Sequence, residues 1–224
     1  MKELERKLGY RFNNKQLLKN ALTHSSYANE NRGEGMPSNE RLEFLGDSVL
    51  GFVTAKYLYA AEPALPEGRM TRLRAELVCE QSLYGVAQDL ELGQYLRMGH
   101  GEEKNGGRKR ASILADAVEA VIAAIFLDGG IEPAGSFIER MVLSTESVEA
   151  HHASDYKTEL QELVQQKPDQ LLRYIAAGES GPDHNKLFLA DVSLNGRIIG
   201  SGSGKTKKEA EQAAAREALK KLTE

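Results

Sequence analysis

Fifteen residues, Ile113–Leu127, are apolar at every position except Asp116 and Glu119. A helix that is apolar on all sides has no face to give to water, so other elements must wrap it. Ser112–Leu127 is therefore the predicted central helix of a helical domain. Asp116 and Glu119 are three residues apart and share one face of it, about 60° apart. Ionisable groups in such a place are costly unless paired or liganded. Two readings follow: a D-x-x-E metal site, or an ion pair with an arginine from another helix, such as Arg72 or Arg74.

A second stretch repeats the theme. Asn39–Leu50 reads NERLEFLGDSVL, with Glu40, Glu43 and Asp47 at i, i+3 and i+7 among Leu42, Phe44, Leu45, Val49 and Leu50. On a helix the three carboxylates form a narrow stripe. Taken alone, the stripe reads as the solvated edge of an amphipathic helix. A divalent cation would relieve the repulsion, because oxygen-only ligands suit Mg²⁺. Phe44 reads by pattern as core.

Composition narrows the classes. The 224 residues suffice for one large or two ordinary domains, and 41% hydrophobic with 28% charged residues describes a globular chain. Cys79 is the only cysteine, which excludes an internal disulfide, fits a reducing, cytoplasmic setting and reads as a small core residue. The first residues lack the apolar core of a secretory signal. The apolar run Ala120–Leu127 is too short for a bilayer, so no membrane partner is expected. The net charge of −4 is unusual for a nucleic-acid binder. Residues 1–150 hold 18 Lys+Arg against 22 Asp+Glu, and residues 151–224 hold 11 of each. Phosphate binding must therefore rest on local placement.

Along the chain, Met1–Asn31 reads as helices punctuated by Gly9 and Asn13-Asn14, with His24 as a hydrogen-bonded structural residue. Asn29–Ser38 reads as a loop. A helix follows to about Glu62-Pro63, and a loop with Pro66, Glu67 and Gly68 leads into Met70-Thr71-Arg72-Leu73-Arg74. Residues 75–98 read as continuing helix and Gly99–Gly107 as loop. Arg108-Lys109-Arg110 is a short basic cluster, read as a solvated face. Asp128-Gly129-Gly130 ends the central helix, and Pro133–Val142 is one more amphipathic helix. Ser144–Ser154 lacks periodicity and reads as a linker, its His151-His152 pair not a metal site.

The last 70 residues change character. Asp155–Gln166 is a predicted helix, Leu171–Ala177 a strand and Gly178–Lys186 a loop. Leu187–Leu194 alternates like a strand, Asn195-Gly196 is a hairpin turn, and Arg197–Gly202 is a third strand. Thr206–Leu222 is a helix started by a Thr206/Glu209 capping box, with Ala210, Ala213, Ala214, Ala218 and Leu222 inward. Gly200–Thr206 looks like a phosphate-binding G-x-x-x-x-G-K-T loop, but the first glycine would have to be residue 199, which is Ile199. No nucleotide cofactor is expected. Lys205, Lys207 and Lys208 crowd the start of the last helix, where cations are disfavoured by the helix dipole unless a phosphate backbone lies over it.

NERLEFLGDSVL closely resembles the signature stretch of the ribonuclease III family, the double-strand-specific endoribonucleases. ILADAVEAVIAAIFLDGG resembles the family's second motif, and LGYRF, LLKNALTHSSY and Met70–Arg74 resemble further parts of it. Residues 155–224 resemble a double-stranded-RNA-binding domain through Thr158, Gln161 and Glu162, through Gly181-Pro182-Asp183-His184 ahead of Phe188, and through KTKKEAEQAAA. The resemblance implies a multidomain chain: an all-α endonuclease domain over 1–146, a linker over 147–154 and an α+β domain of order α-β-β-β-α over 155–224.

The resemblance also implies a function. Glu40, Glu43, Asp47, Glu67, Asp116 and Glu119 match the family's acidic set. Glu43, Asp47, Asp116 and Glu119 would bind Mg²⁺ directly, with Mn²⁺ as a substitute. Asp47 and Glu119 would be catalytic, with Glu40 and Glu67 assisting metal or substrate. Phe44 would belong to the seam of a homodimer. Gln161 and His184 would reach RNA minor grooves, Thr158 and Glu162 would join them, and Lys205, Lys207 and Lys208 would take phosphates. Many members have a third basic residue where this chain has Glu211. The implied reaction is Mg²⁺-dependent hydrolysis of double-stranded RNA, such as ribosomal and messenger RNA precursors, to 5′-phosphate and 3′-hydroxyl ends. The alternatives are a non-catalytic double-stranded-RNA-binding regulator on the same fold, and a small-molecule phosphohydrolase, which would leave residues 155–224 without a role.

Overall fold

The structure, a computed structural model, describes residues 1–61, 65–144, 156–167, 169–180 and 186–223. The chain divides into two compact units, Met1–Val148 and Glu149–Glu224. The expected linker 147–154, the His151-His152 pair and His184 lie outside the described residues.

The first unit is helical. Its elements are α1 (Lys2–Leu8), α2 (Lys15–Ala21), α3 (Ser25–Glu30), α4 (Glu40–Ala61), α5 (Glu67–Leu77), α6 (Glu80–Asp89), α7 (His100–Lys104), α8 (Ala111–Gly129) and α9 (Ile131–Met141). Helix α8 is the centre. Ile113, Leu114, Ala117, Val118 and the whole run from Ala120 to Ile125 are buried, and α2, α4, α6 and α9 pack around them. Gly9 closes α1 in the left-handed conformation, and the Asn14 side chain caps α2 by accepting from Gln16 N–H.

Four local expectations are corrected here. Residues 75–98 are not one helix: the chain breaks at Val78-Cys79 and restarts as α6. Cys79 stands just ahead of that restart and is exposed, not core. The stretch expected as loop, Gly99–Gly107, holds α7. Arg108 and Arg110 are tied into the unit, Arg108 to Glu103 at 2.6 Å and Arg110 to Glu102 at 2.8 Å, and Arg108 also donates to the carbonyls of Gly93 and Leu96.

The second unit has the order α-β-β-β-α: α10 (Tyr156–Gln165), β1 (Leu172–Ser180), β2 (Leu187–Leu194), β3 (Arg197–Gly204) and α11 (Lys207–Thr223). The strands form an antiparallel meander in the order β1-β2-β3. Asn195 and Gly196 turn the β2–β3 hairpin with φ of 52° and 83°, the two positive values that a tight primed turn requires. β1 runs on through Gly178 to Ser180, where a loop was expected. The register shifts between Ala176 and Gly178, and Gly178 at φ 130° absorbs the extra residue as a bulge.

Leu160, Val164 and Val192 pack against Ala214, Ala215, Ala218 and Leu219 of α11. Leu222, expected inward, is 42% exposed, and Leu219 takes the inner place. The helix start differs slightly from a reciprocal capping box. Thr206 Oγ1 accepts from Glu209 N–H at 3.1 Å, but the Glu209 carboxylate accepts from Lys205 N–H at 2.8 Å, one residue earlier.

Candidate metal centre and RNA-binding surface

Helices α4 and α8 cross where each carries its carboxylates. The crossing is close because α4 has Gly46 at the contact. A Cβ built there would lie 1.9 Å from the carbonyl oxygen of Glu119. No other residue fits, so Gly46 sets the distance between the two acidic stretches. Asn39 sets where α4 begins. It is buried, its N–H donates to Thr23 O at 2.8 Å, and its carbonyl accepts from the N–H groups of Leu42 and Glu43. The sequence reading began its acidic stretch at Asn39 without giving it a role. Its signal was a polar residue just before a helix, the usual place for a cap.

The result is a cluster of three. One carboxylate oxygen from each of Glu43, Asp116 and Glu119 lies within 4.8 Å of the other two. All three side chains are half-buried, so Asp116 and Glu119 are less deeply enclosed than the apolar run suggested. Their proximity shows in their proton affinities. The Glu119 carboxyl is pushed up to about 8, by burial first and then by the charges of Asp47, Asp116 and Glu43. Glu43 is raised by burial, then by Asp116, Glu40 and Asp47. Asp116 is raised by burial and by Glu80, with His24 acting the other way. Among the described residues, no positive group counters the charge around Glu119 in that balance.

The remaining acidic residues stand further out. Asp47 is exposed one turn beyond Glu43, outside the group of three, yet near enough for its charge to act on Glu119. Glu40 is exposed and accepts from Ser38 Oγ at 2.9 Å. Glu67 is not in a loop but opens α5, where it accepts from Thr71 Oγ1 at 2.9 Å. It lines a cleft of about 260 Å³ with Ala55, Leu58, Tyr59 and Arg74. That part of α4 is 12–16 residues past Glu43, about 18–24 Å away by helical rise. Within one chain, Glu67 is therefore not brought to the cluster. Glu80 was missed by sequence reasoning. It reaches Asp116 only because the chain restarts at α6, and nothing in the local sequence marked that break.

The donor set fits a hard divalent cation. Carboxylate oxygens suit Mg²⁺-like ions, and a 2+ charge removes the repulsion that lifts Glu119. His24 is occupied as the cap of α3, its Nδ1 accepting from Ser26 N–H, so the group is oxygen-only.

In the second unit, Thr158, Gln161 and Glu162 share one face of α10, Gln161 and Glu162 exposed. Lys205, Lys207 and Lys208 are all exposed at the start of α11. Glu211 is held in an ion pair with Lys157 at 2.6 Å, and Lys157 sits 4.3 Å above the Tyr174 ring. That acidic residue thus joins α10 to α11.

A family model for Ribonuclease-III-like domains matches residues 14–145, and one for the double-stranded RNA binding motif matches residues 156–222. The chain belongs to the ribonuclease III family. Ribonuclease 3 of Listeria monocytogenes is 49% identical over 221 residues, covering 98% of this chain and 96% of that one. Ribonuclease 3 of Oceanobacillus iheyensis is 50% identical over 220 residues, with 98% and 96% covered. The nuclease domain of Ribonuclease III from Campylobacter jejuni, solved in a form with structural flexibility in a region involved in dimer formation, is 44% identical with a TM-score of 0.59. That likeness covers 62% of this chain and 94% of that one. Membership of this family and the carboxylate cluster together imply a divalent metal.

Proposed function

We propose that this ribonuclease III family chain is an endoribonuclease that hydrolyses phosphodiester bonds of double-stranded RNA with Mg²⁺, acting as a homodimer. The observation that carries the reading is the half-buried cluster of Glu43, Asp116 and Glu119, in a chain that also matches a double-stranded RNA binding motif. Residues 1–146 do the chemistry, residues 155–224 hold duplex RNA, and residues 147–154 join them.

Glu43, Asp116 and Glu119 hold the ion, and Asp47 supplies a fourth carboxylate from the same side of α4. When bound, Mg²⁺ polarises the phosphodiester and makes the attacking water more acidic. The chain's own work is positional. α8 is held by α2, α4, α6 and α9, so its carboxylates keep their places. Gly46 brings α4 against α8, so the carboxylate oxygens already converge before metal or RNA arrives. Glu40 and Glu67 assist metal or substrate through hydrogen bonds or water. The products carry 5′-phosphate and 3′-hydroxyl ends, and structured precursors such as ribosomal RNA are fitting substrates.

The dimer reading rests on α4. Its buried face carries Leu42, Gly46, Val49, Leu50, Val53 and Leu58. Its opposite face leaves Phe44 78%, Phe52 59% and Tyr59 76% exposed. Two copies of α4 packed antiparallel about an axis near Gly51 would set Phe44 of each against the Ala55–Tyr59 cleft of the other. Glu67 lines that cleft, so the same packing brings the Glu67 of one copy toward the Glu43 and Asp47 of the other. Isologous pairing of this kind is the commonest oligomer.

The test is a long RNA duplex incubated with Mg²⁺ or with EDTA, followed by analysis of product ends. Cleavage that requires Mg²⁺, and that Glu119→Gln abolishes, supports the reading. A wild-type protein that binds duplex but never cleaves it makes this chain a binder only.

A further inference from the structure

Far from the carboxylates, α1, the start of α2 and the loop between them line an open depression of about 720 Å³. Lys2, Arg6, Arg11 and Lys15 line it, with Glu5 and Tyr10 in its wall. Four cations meet there in a chain whose net charge is −4. Glu5 pairs with one of them, Lys15, and leaves the other three. It is buried, one oxygen accepts from Phe12 N–H at 2.9 Å, and the other lies 3.6 Å from Lys15 Nζ. No described carboxylate pairs with Lys2, Arg6 or Arg11, and all three are exposed. Three unpaired cations on one surface make a positive field to which an anion is drawn.

The frame beneath these cations is fixed. Asp128, at the end of α8, accepts from Tyr10 OH, Asn13 N–H and Asn14 N–H, each at 2.8 Å. Gly9 turns the chain at φ 63°, and the Arg140 guanidinium lies against it while donating to Leu8 O. The loop therefore needs little ordering when a ligand arrives. Asp128 is nine residues after Glu119, on the opposite side of α8 and about 13 Å further along it. The depression is thus separate from the metal cluster.

We infer that this depression is a second ligand site, for a phosphate chain: a polyphosphate group, free or carried on the 5′ end of an RNA. Arginine forks bind phosphate oxygens two at a time, and several cations around one open depression suit a multiply charged anion better than a single carboxylate. The inference does not depend on the metal or on cleavage.

Calorimetric titration of the full chain with inorganic tripolyphosphate, in EDTA, tests it. The wild type binds one tripolyphosphate per chain, and Arg6→Ala/Arg11→Ala weakens that binding about tenfold or more, as the loss of charge-assisted hydrogen bonds requires. Lys207→Ala/Lys208→Ala binds like wild type. Lys2→Ala, on the exposed first turn, gives an independent reading in the same direction. The site is overturned by a wild type that does not bind, by an Arg6/Arg11 variant that binds equally well, or by loss in the Lys207/Lys208 variant instead. Competition with single-stranded RNA names the source. Displacement by a 5′-triphosphorylated strand, and not by its 5′-hydroxyl counterpart, assigns the site to RNA ends. Displacement by neither assigns it to free polyphosphate, and equal displacement by both overturns the phosphate-chain assignment.

Discussion

Gly46 lies so close to Glu119 that a Cβ would fall 1.9 Å from the Glu119 carbonyl oxygen. One missing side chain thereby determines how near two sets of like charges approach. Gly46→Ala should push α4 off α8, with an overpacking cost of about 1–3 kcal/mol or more. Displacing the carboxylates by about 1 Å should cut duplex cleavage roughly a hundredfold. Urea melts and single-turnover cleavage measure the two effects. Gly85 is the control. It lies in α6 with no atom within 4 Å of a built Cβ, and Gly85→Ala should stabilise by about 0.5–1 kcal/mol. Equal behaviour of the two variants would refute the close-approach argument.

The carboxyl of Glu119 has its pKa raised from 4.5 to about 8, by burial and by its acidic neighbours. Between those pH values the folded chain holds a proton that the unfolded chain has lost. Its contribution to stability is complete below 4.5 and disappears as pH rises through about 8. Metal-free wild type should therefore lose melting temperature over that range relative to Glu119→Gln, which cannot titrate there. Adding Mg²⁺ should restore wild type and release a proton. The same variant should lose at least about a hundredfold in cleavage, since a direct ligand matters more than the outer groups whose loss costs 10–100-fold. Parallel melting curves for the two proteins, with and without Mg²⁺, would remove the basis of the metal assignment.

The multidomain class and the α-β-β-β-α order were legible because periodicity and turn chemistry are local signals. Leu187–Leu194 alternates and Asn195-Gly196 turns, and the strand and hairpin stand at those residues. The break at Val78-Cys79 was not legible, because apolar spacing runs across it without Gly or Pro. So Cys79 was misplaced in the core and Glu80 was overlooked. The glycines 200, 202 and 204 were read only as a failed nucleotide loop. Their reason is packing: a Cβ on Gly202 would lie 2.2 Å from Ala214 N, and one on Gly200 would lie 2.3 Å from Ala214 O. A contact between β3 and a helix ten or more residues later leaves no local trace. Within the site, the facing of α4 and α8 depends on tertiary approach, which spacing along one helix does not encode.

Phe44, 78% exposed, should be the side chain whose loss most weakens self-association. Burying a phenylalanine contributes about 1.5–3 kcal/mol, and a two-fold interface counts it twice. Phe44→Ser should therefore raise the dimer dissociation constant at least about a hundredfold, measured by sedimentation velocity, without lowering the melting temperature of the monomer. Tyr59→Ser, at the other end of the same face, should act in the same direction. A Phe44→Ser protein that sediments as a dimer at every concentration would place the interface elsewhere on the chain.

Lys205, Lys207 and Lys208 are exposed at the start of α11, with Glu211 turned to Lys157. If they take phosphates, their contribution is electrostatic and independent of RNA sequence. Lys207→Ala/Lys208→Ala should weaken binding of any duplex in Ca²⁺ or EDTA. It should also flatten the dependence of log affinity on log salt, by about one unit per lost phosphate contact. Gln161→Ala, at an exposed position of α10, should instead lower affinity with little change in the salt slope, since it carries no charge. Filter binding of one duplex across a salt series separates the two cases. Identical slopes for wild type and the double lysine variant would mean that the RNA backbone does not lie over the start of α11.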